Sequence, residues 1–161
     1  MKILQYLFIS LSHKILKILP YRLIRLLSVP IGTLYFLLTF RSSIKLFKRR
    51  KIFEKLKINY KPLIVKINYT RYWLETLWLT NKNFSKHITP HVEIENQEYV
   101  DKLKKQYPGL IFALPHLGNW EFAIPIGNSI KLNLLAVAEP LSNSYVLNWF
   151  KSLRESLGIE I

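Results

Sequence analysis

The chain has 161 residues, enough to bury one core, and half of them are hydrophobic, which excludes a disordered chain. Its 24 Lys and Arg against 10 Asp and Glu give a formal charge of +14, so a polyanionic partner is expected, either nucleic acid or an anionic membrane surface. Cysteine is absent, which excludes disulfides, thiolate metal sites and cysteine nucleophiles.

Residues 2–19 read as an amphipathic helix, with Leu4, Leu7, Leu11, Ile15 and Ile18 at helical spacing and Ser10, His13, Lys14 and Lys17 between them. The start is basic and then apolar, but Lys14 and Lys17 interrupt it early and no small-residue cleavage site follows, so it is not a secretory signal. Pro20 stops this helix or starts the next. The stretch from Leu26 to Phe40 carries no charge and is flanked by Arg25 and Arg41. As a helix it spans about 22 Å, whereas a full crossing takes about 20 apolar residues. Pro30 and Gly32 interrupt it as well, so an interfacial or re-entrant helix is expected rather than a span; a buried core helix of a soluble domain fits the same length.

The cluster Arg41, Lys45, Lys48, Arg49, Arg50 and Lys51 closes this region, and no Asp or Glu occurs before Glu54. A nucleic-acid tail is usually polar between its charges, and this one is apolar. Basic and apolar together suit anionic lipid headgroups, where each Lys or Arg near the surface contributes roughly 1 kcal/mol. No nucleic-acid module is recognisable. Residues 1–52 are therefore expected to be a basic, membrane-binding helical region.

From Ile52 to about Thr80 the pattern is again helical, with Tyr69, Tyr72, Trp73, Leu77 and Trp78 around Arg71 and Glu75. Core packing is the main expectation for these rings, with a share at the membrane interface. Residues 81–90 read as a polar loop, and His91 to Glu95 alternates as a strand does. Asn96 can cap a short helix from Gln97 to Gln106, and Pro108-Gly109 is a turn. A strand at 110–115, a helix from about Asn119 to Ser129, a strand from Leu132 to Ala138, a helix from Ser142 to Leu157 and a turn at Gly158 follow. Ile159-Glu160-Ile161 reads as the start of another strand, so the chain is expected to be cut short there. Strands alternating with helices predict an α/β fold with a mostly parallel sheet flanked by helices over residues 53–161.

Reactive groups in open α/β sheets gather at the carboxyl ends of strands, and His116 is predicted to sit at one. Gly118 lets the chain turn tightly, Asn119 can cap the next helix, and Glu121 then falls in its first turn. A carboxylate bonded to one imidazole nitrogen fixes the tautomer and stabilises the imidazolium formed when the other nitrogen takes a proton. Such a pair can deprotonate an alcohol attacking an acyl carbonyl. The spacing also arises by chance, and a Glu in a first helical turn offsets the helix dipole; the strand before and the Gly-Asn turn after give it a context. His13, His87 and His91 form no metal spacing, and the serines lack a nucleophile-elbow context.

The stretch Leu114-Pro115-His116-Leu117-Gly118-Asn119-Trp120-Glu121 resembles the His-x4-Asp/Glu block of the bacterial lipid A biosynthesis acyltransferase family, which includes late (lauroyl/myristoyl) lipid A acyltransferases and phosphatidylinositol mannoside acyltransferases. Tyr69-Thr70-Arg71-Tyr72-Trp73-Leu74-Glu75 looks like its helix before the catalytic half. Ala136-Val137-Ala138-Glu139-Pro140-Leu141, followed by Trp149-Phe150 and Arg154 to Ile159, looks like its second block. The Arg-Tyr-Trp-Leu-Glu and Ala-Glu-Pro-Leu forms look more like the mannoside branch.

The resemblance implies a glycerolipid-acyltransferase-like fold, incomplete at the C-terminus, on the cytoplasmic face of the bacterial plasma membrane. His116 would be the general base on the acceptor hydroxyl and Glu121 would orient it. Glu139 would lie near the same pocket, Arg154 would help with an anionic or phosphate-bearing group, and Asn119 would be on the substrate side. The acceptor would be a glycolipid and the donor a thioester, acyl-CoA or acyl carrier protein, with no metal or organic cofactor. Family members run longer than this chain, so later strands, a further acidic residue and much of the acyl groove are expected beyond Ile161. The readings that stay open are an active acyltransferase on a phosphatidylinositol mannoside, a late lipid A (lauroyl/myristoyl) acyltransferase, or an inactive membrane-binding fragment of such an enzyme.

Overall fold

Three long helices carry most of the core: α1 (Lys2–Leu16), α2 (Tyr21–Leu38) and α3 (Pro62–Trp78). The computed structural model describes residues 2–40, 54–55, 57, 61–115, 117–137 and 140–160. The basic cluster from Arg41 to Lys51, His116 and Glu139 lie outside the described residues.

The apolar repeat of α1 points away from the core: Leu4, Leu7, Leu11, Ile15 and Ile18 are each at least half exposed, and only Leu16 on this helix is buried. Its opposite face carries Tyr6 and His13, which meet Tyr145 and Trp149 at ring distances of 6.1 and 5.5 Å. α1 ends in a turn over residues 17–19, and Pro20, in extended conformation, hands the chain to α2. α2 thus begins five residues before the charge-free stretch. Arg22 and Arg25 are accommodated because both are exposed. By length and composition alone this 18-residue helix, with mean hydropathy 1.3, is long and apolar enough to cross a membrane. Pro30 lies within it on the exposed side and does not end it.

Ile24, Ser28 and Gly32, four residues apart, form the buried line of α2. This line faces α3, which starts on Pro62 in its first turn, where the missing N–H has no helical partner to lose. The two helices run antiparallel: Tyr21 meets Trp78 at 5.0 Å between ring centres, and Tyr35 meets Tyr69 at 6.3 Å. Gly32 sets their approach, because a Cβ there would come within 2.6 Å of the Ile67 Cα. The outer face of α2, with Leu23, Leu26, Leu34, Leu37 and Leu38, stays exposed.

Leu16, Ile24, Leu74, Leu77, Trp78, Leu79, Phe84 and Ile88 form the core. Trp78, fully buried, donates from Nε1 to the Leu19 carbonyl at 2.9 Å, so its one polar atom is satisfied. Of the expected aromatic stretch, Leu77 and Trp78 are core while Tyr69 is half exposed.

The rest of the chain is short elements: α4 (Phe84–His87), a 3-10 turn at Thr89–His91, α5 (Gln97–Gln106), a 3-10 turn at Trp120–Phe122, α6 (Ala123–Ser129), β1 (Leu134–Leu135), α7 (Ser144–Ser156) and β2 (Ile159–Glu160). β1 and β2 pair in parallel, Leu134 opposite Ile159 and Leu135 opposite Glu160, with α7 as the crossover between them. The parallel connection agrees with the expected α/β alternation, but the chain is mostly helical.

The sheet is much smaller than the sequence predicts. Among the described residues, 91–95 and 110–115 form no strand, and 132–138 shrinks to Leu134–Leu135. Residues 92–95 keep their alternation, Val92 and Ile94 half-buried and Glu93 and Glu95 exposed, without a strand to pair with. Ile111, Phe112 and Leu114 are exposed for the same reason. A strand is completed by its neighbour's N–H and C=O groups, so an alternating or apolar run without one remains irregular. The helix expected from Asn119 starts as a 3-10 turn and becomes α-helical at Ala123.

Candidate active site

The turn after residue 116 is built as its residues demand. Gly118 takes φ of +61°, a left-handed conformation suited to glycine. Asn119 then caps the 3-10 turn, its side-chain oxygen accepting from the Glu121 N–H at 3.3 Å. The Asn119 Nδ2 donates to Glu75 Oε2 at 3.2 Å and to the Tyr72 carbonyl at 3.4 Å, tying the turn to α3. Glu75 is itself buried, and its other oxygen accepts from the Tyr21 hydroxyl at 3.0 Å. A single carboxylate therefore links α2, α3 and the turn.

Glu121 is 1% exposed. Its carboxylate is gripped by Arg154 of α7 through two bonds, Nη2 to Oε1 at 2.6 Å and Nε to Oε2 at 3.3 Å. The guanidinium lies over Trp120 and Phe150, 5.4 and 5.6 Å from their ring centres. Bidentate, charge-assisted pairing of this kind fixes both position and orientation of the carboxylate. It occupies one lone pair on each oxygen and leaves others that can accept a further donor. Burial first, and then the charge of Glu121, push the Tyr72 phenol up to about 12.

Of the residues singled out in the sequence, Asn119, Glu121 and Arg154 come together here, the last from 33 residues along the chain. Asn119 and Arg154, which the resemblance gives to the substrate, both have protein partners. His116 and Glu139 lie outside the described residues. Glu75 is the site residue that sequence reasoning gave no role. Its signal was a carboxylate set among Trp73, Leu74, Leu77 and Trp78, where an unpaired charge would be costly.

A groove of about 460 Å³ runs between the β1 end and α7, walled by Leu135, Val137, Pro140, Leu147 and Phe150, and it reaches Arg154. Among the described residues no group of His, Asp and Glu is arranged to hold a metal ion.

A parallel βαβ unit thus follows a helical N-terminal region with outward apolar faces, and a buried carboxylate sits at the Gly-Asn turn, an arrangement consistent with an α/β acyltransferase. The family comparison is specific. The whole chain, residues 1–161, matches the model of the bacterial lipid A biosynthesis acyltransferases, and the chain belongs to that family. Its members transfer acyl groups, so the protein is an acyltransferase. No curated protein and no solved structure matches it.

Proposed function

We propose that this acyltransferase works at a membrane surface and moves a fatty acyl group from a thioester to a hydroxyl of a glycolipid, a mannosyl phosphoinositide in the first instance. The observation that carries the reading is the buried, doubly held Glu121 carboxylate, five residues beyond His116 on a turn locked by Asn119. In this reading Arg154 holds Glu121 still, and Glu121 orients the His116 imidazole. His116 takes the proton of the acceptor hydroxyl as its oxygen attacks the thioester carbonyl. The tetrahedral intermediate collapses, the C–S bond breaks, and the imidazolium returns the proton to the departing thiolate. The products are an ester and a free thiol, and no metal or organic cofactor takes part. In this reading Glu139 serves the acceptor, and the groove beside Phe150 receives part of the acyl chain.

Support for the membrane comes from the outward apolar faces of α1 and α2 together with a formal charge of +14. Exposed apolar patches of this extent mark interaction surfaces, and the basic residues at their rim suit the anionic, cytoplasmic leaflet of a bacterial plasma membrane. The family's description favours a second acceptor, a lipid A precursor. The two are separated by supplying acyl-CoA or acyl carrier protein as donor and following the acylated product by mass spectrometry. Acylated phosphoinositide mannoside is the expected product. Acylation of the lipid A precursor alone would overturn the choice of acceptor, and acylation of neither, with liposome binding intact, would mark a membrane-binding fragment.

A further inference from the structure

Once Arg154 is committed to Glu121, the anionic part of a lipid substrate needs another cation, and α3 supplies one. Among the described residues, Arg71 Nε is the buried side-chain nitrogen that has no hydrogen-bond partner. Glu75, one turn further along α3, is the obvious carboxylate for it, but Glu75 is held by Tyr21 and Asn119 and makes no bond to Arg71 Nε. A buried guanidinium nitrogen without an acceptor is costly, and turning the partly exposed Arg71 side chain toward a ligand oxygen would relieve it.

A second cation stands opposite. Tyr21 and Glu75 are hydrogen-bonded across the antiparallel α2–α3 pair. Arg25 lies one turn beyond Tyr21 on α2 and Arg71 one turn before Glu75 on α3, so both step the same way from that bond. Burial, then the charge of Glu75, raise the Tyr21 phenol to about 12, and the two charges opposing that rise are Arg25 and Arg71, which places both within electrostatic reach of one hydroxyl. Arg25 is exposed at the edge of the apolar face formed by Leu23 and Leu26, and Arg71 is partly exposed. Arg25 thus stands at the rim of the proposed lipid-facing surface, and Arg71 is on the helix whose Glu75 and Tyr72 hold the Asn119 turn.

We propose that Arg71, with Arg25 across the α2–α3 pair, forms a phosphate-binding site that takes the phosphate ester of the lipid acceptor and presents its headgroup to the motif turn. This rests on the reading that the acceptor is a phosphate-bearing lipid. Arg71 supplies the planar fork that matches two phosphate oxygens, and Arg25 adds charge from the rim.

The test is direct binding, with the full chain in a maltoside detergent and a phosphate-free buffer. Dihexanoyl phosphatidylinositol is titrated in and followed by calorimetry. Wild type is expected to bind saturably. Arg71→Gln should weaken binding by about tenfold or more, as loss of a charged hydrogen bond does. Arg71→Lys should fall between, and Arg25→Gln should weaken binding less than Arg71→Gln. Competition by inorganic phosphate would show that the site reads the phosphate itself; binding of the lipid without such competition would show that the esterified headgroup is needed. Equal binding of dihexanoylglycerol, which lacks the phosphate, would overturn the proposal, as would wild-type affinity in both Gln variants. Should circular dichroism show Arg71→Gln unfolded, the exposed Arg25→Gln decides alone. Absence of binding by wild type also overturns the site, while leaving the acyltransferase reading to its own test at His116.

Discussion

At the scale of single residues, the Glu121–Arg154 pair is the most consequential contact. Removing one member leaves the other charge buried without compensation. Arg154→Ala should therefore destabilise the fold by about 3 kcal/mol, measured by denaturant unfolding, while Arg154→Met with Glu121→Met should cost less than the single change. An Arg154→Ala variant as stable as wild type would show that the pair does not hold the turn. His13 offers a pH dependence. Its Nδ1 lies 3.0 Å from the Leu77 carbonyl and its Nε2 lies 3.3 Å from the Thr80 hydroxyl. The neutral ring satisfies both, donating at Nδ1 and accepting at Nε2. Burial is the main cause holding its pKa below the ordinary 6.5. The unfolded chain then binds the proton more readily, so this contribution to stability is complete above pH 6.5 and is lost as pH falls through the folded-state value. The unfolding midpoint should decline below pH 6.5, and His13→Gln should flatten that decline. The sequence showed His13 only as a basic residue on an apolar helix, because its partners lie more than sixty residues away. The Glu121–Arg154 pairing was illegible for the same reason, whereas Gly118 and Asn119 act locally and their roles were readable from the turn itself.

At the scale of elements, the long helices were legible, whereas of the predicted strands only Leu134–Leu135 and Ile159–Glu160 pair among the described residues, and the short helix Phe84–His87 lies in a predicted loop. The hydrophobic period and Pro20 mark α1 and α2, since helical hydrogen bonds are satisfied within a few residues; α5 starts at Gln97 as expected, but Asn96 before it is left-handed and its side chain makes no capping bond. Residues 110–115 have a strand's composition but no partner among the described residues, and pairing is a property of two segments. The direction of the α1 stripe was also not given by period alone: periodicity says that a face is apolar, not whether protein or lipid covers it. The α2–α3 pair depends on backbone contact at Gly32. Gly32→Val should drive the helices apart and cost about 1–3 kcal/mol, read as a lower thermal midpoint with increased solvent exposure of Trp78. An unchanged midpoint would mean that the approach at Gly32 is not limiting.

At the scale of the whole molecule, the outward apolar faces of α1 and α2, the positive charge and the buried carboxylate are the features on which the proposed reading rests, that of an acyltransfer site held beside a lipid surface. Binding to anionic liposomes should weaken as salt rises, because surface charges are screened within about 8 Å at physiological ionic strength. Salt-insensitive binding that resists carbonate extraction would instead favour α2 as a true span. The most direct measurement is transfer of a labelled acyl group from acyl-CoA to phosphoinositide mannoside by the full chain and by its His116→Ala variant. The expected result is transfer by wild type and a loss of about 10²–10⁴-fold in the variant, with liposome binding unchanged. Equal transfer by both proteins would contradict general-base catalysis by His116.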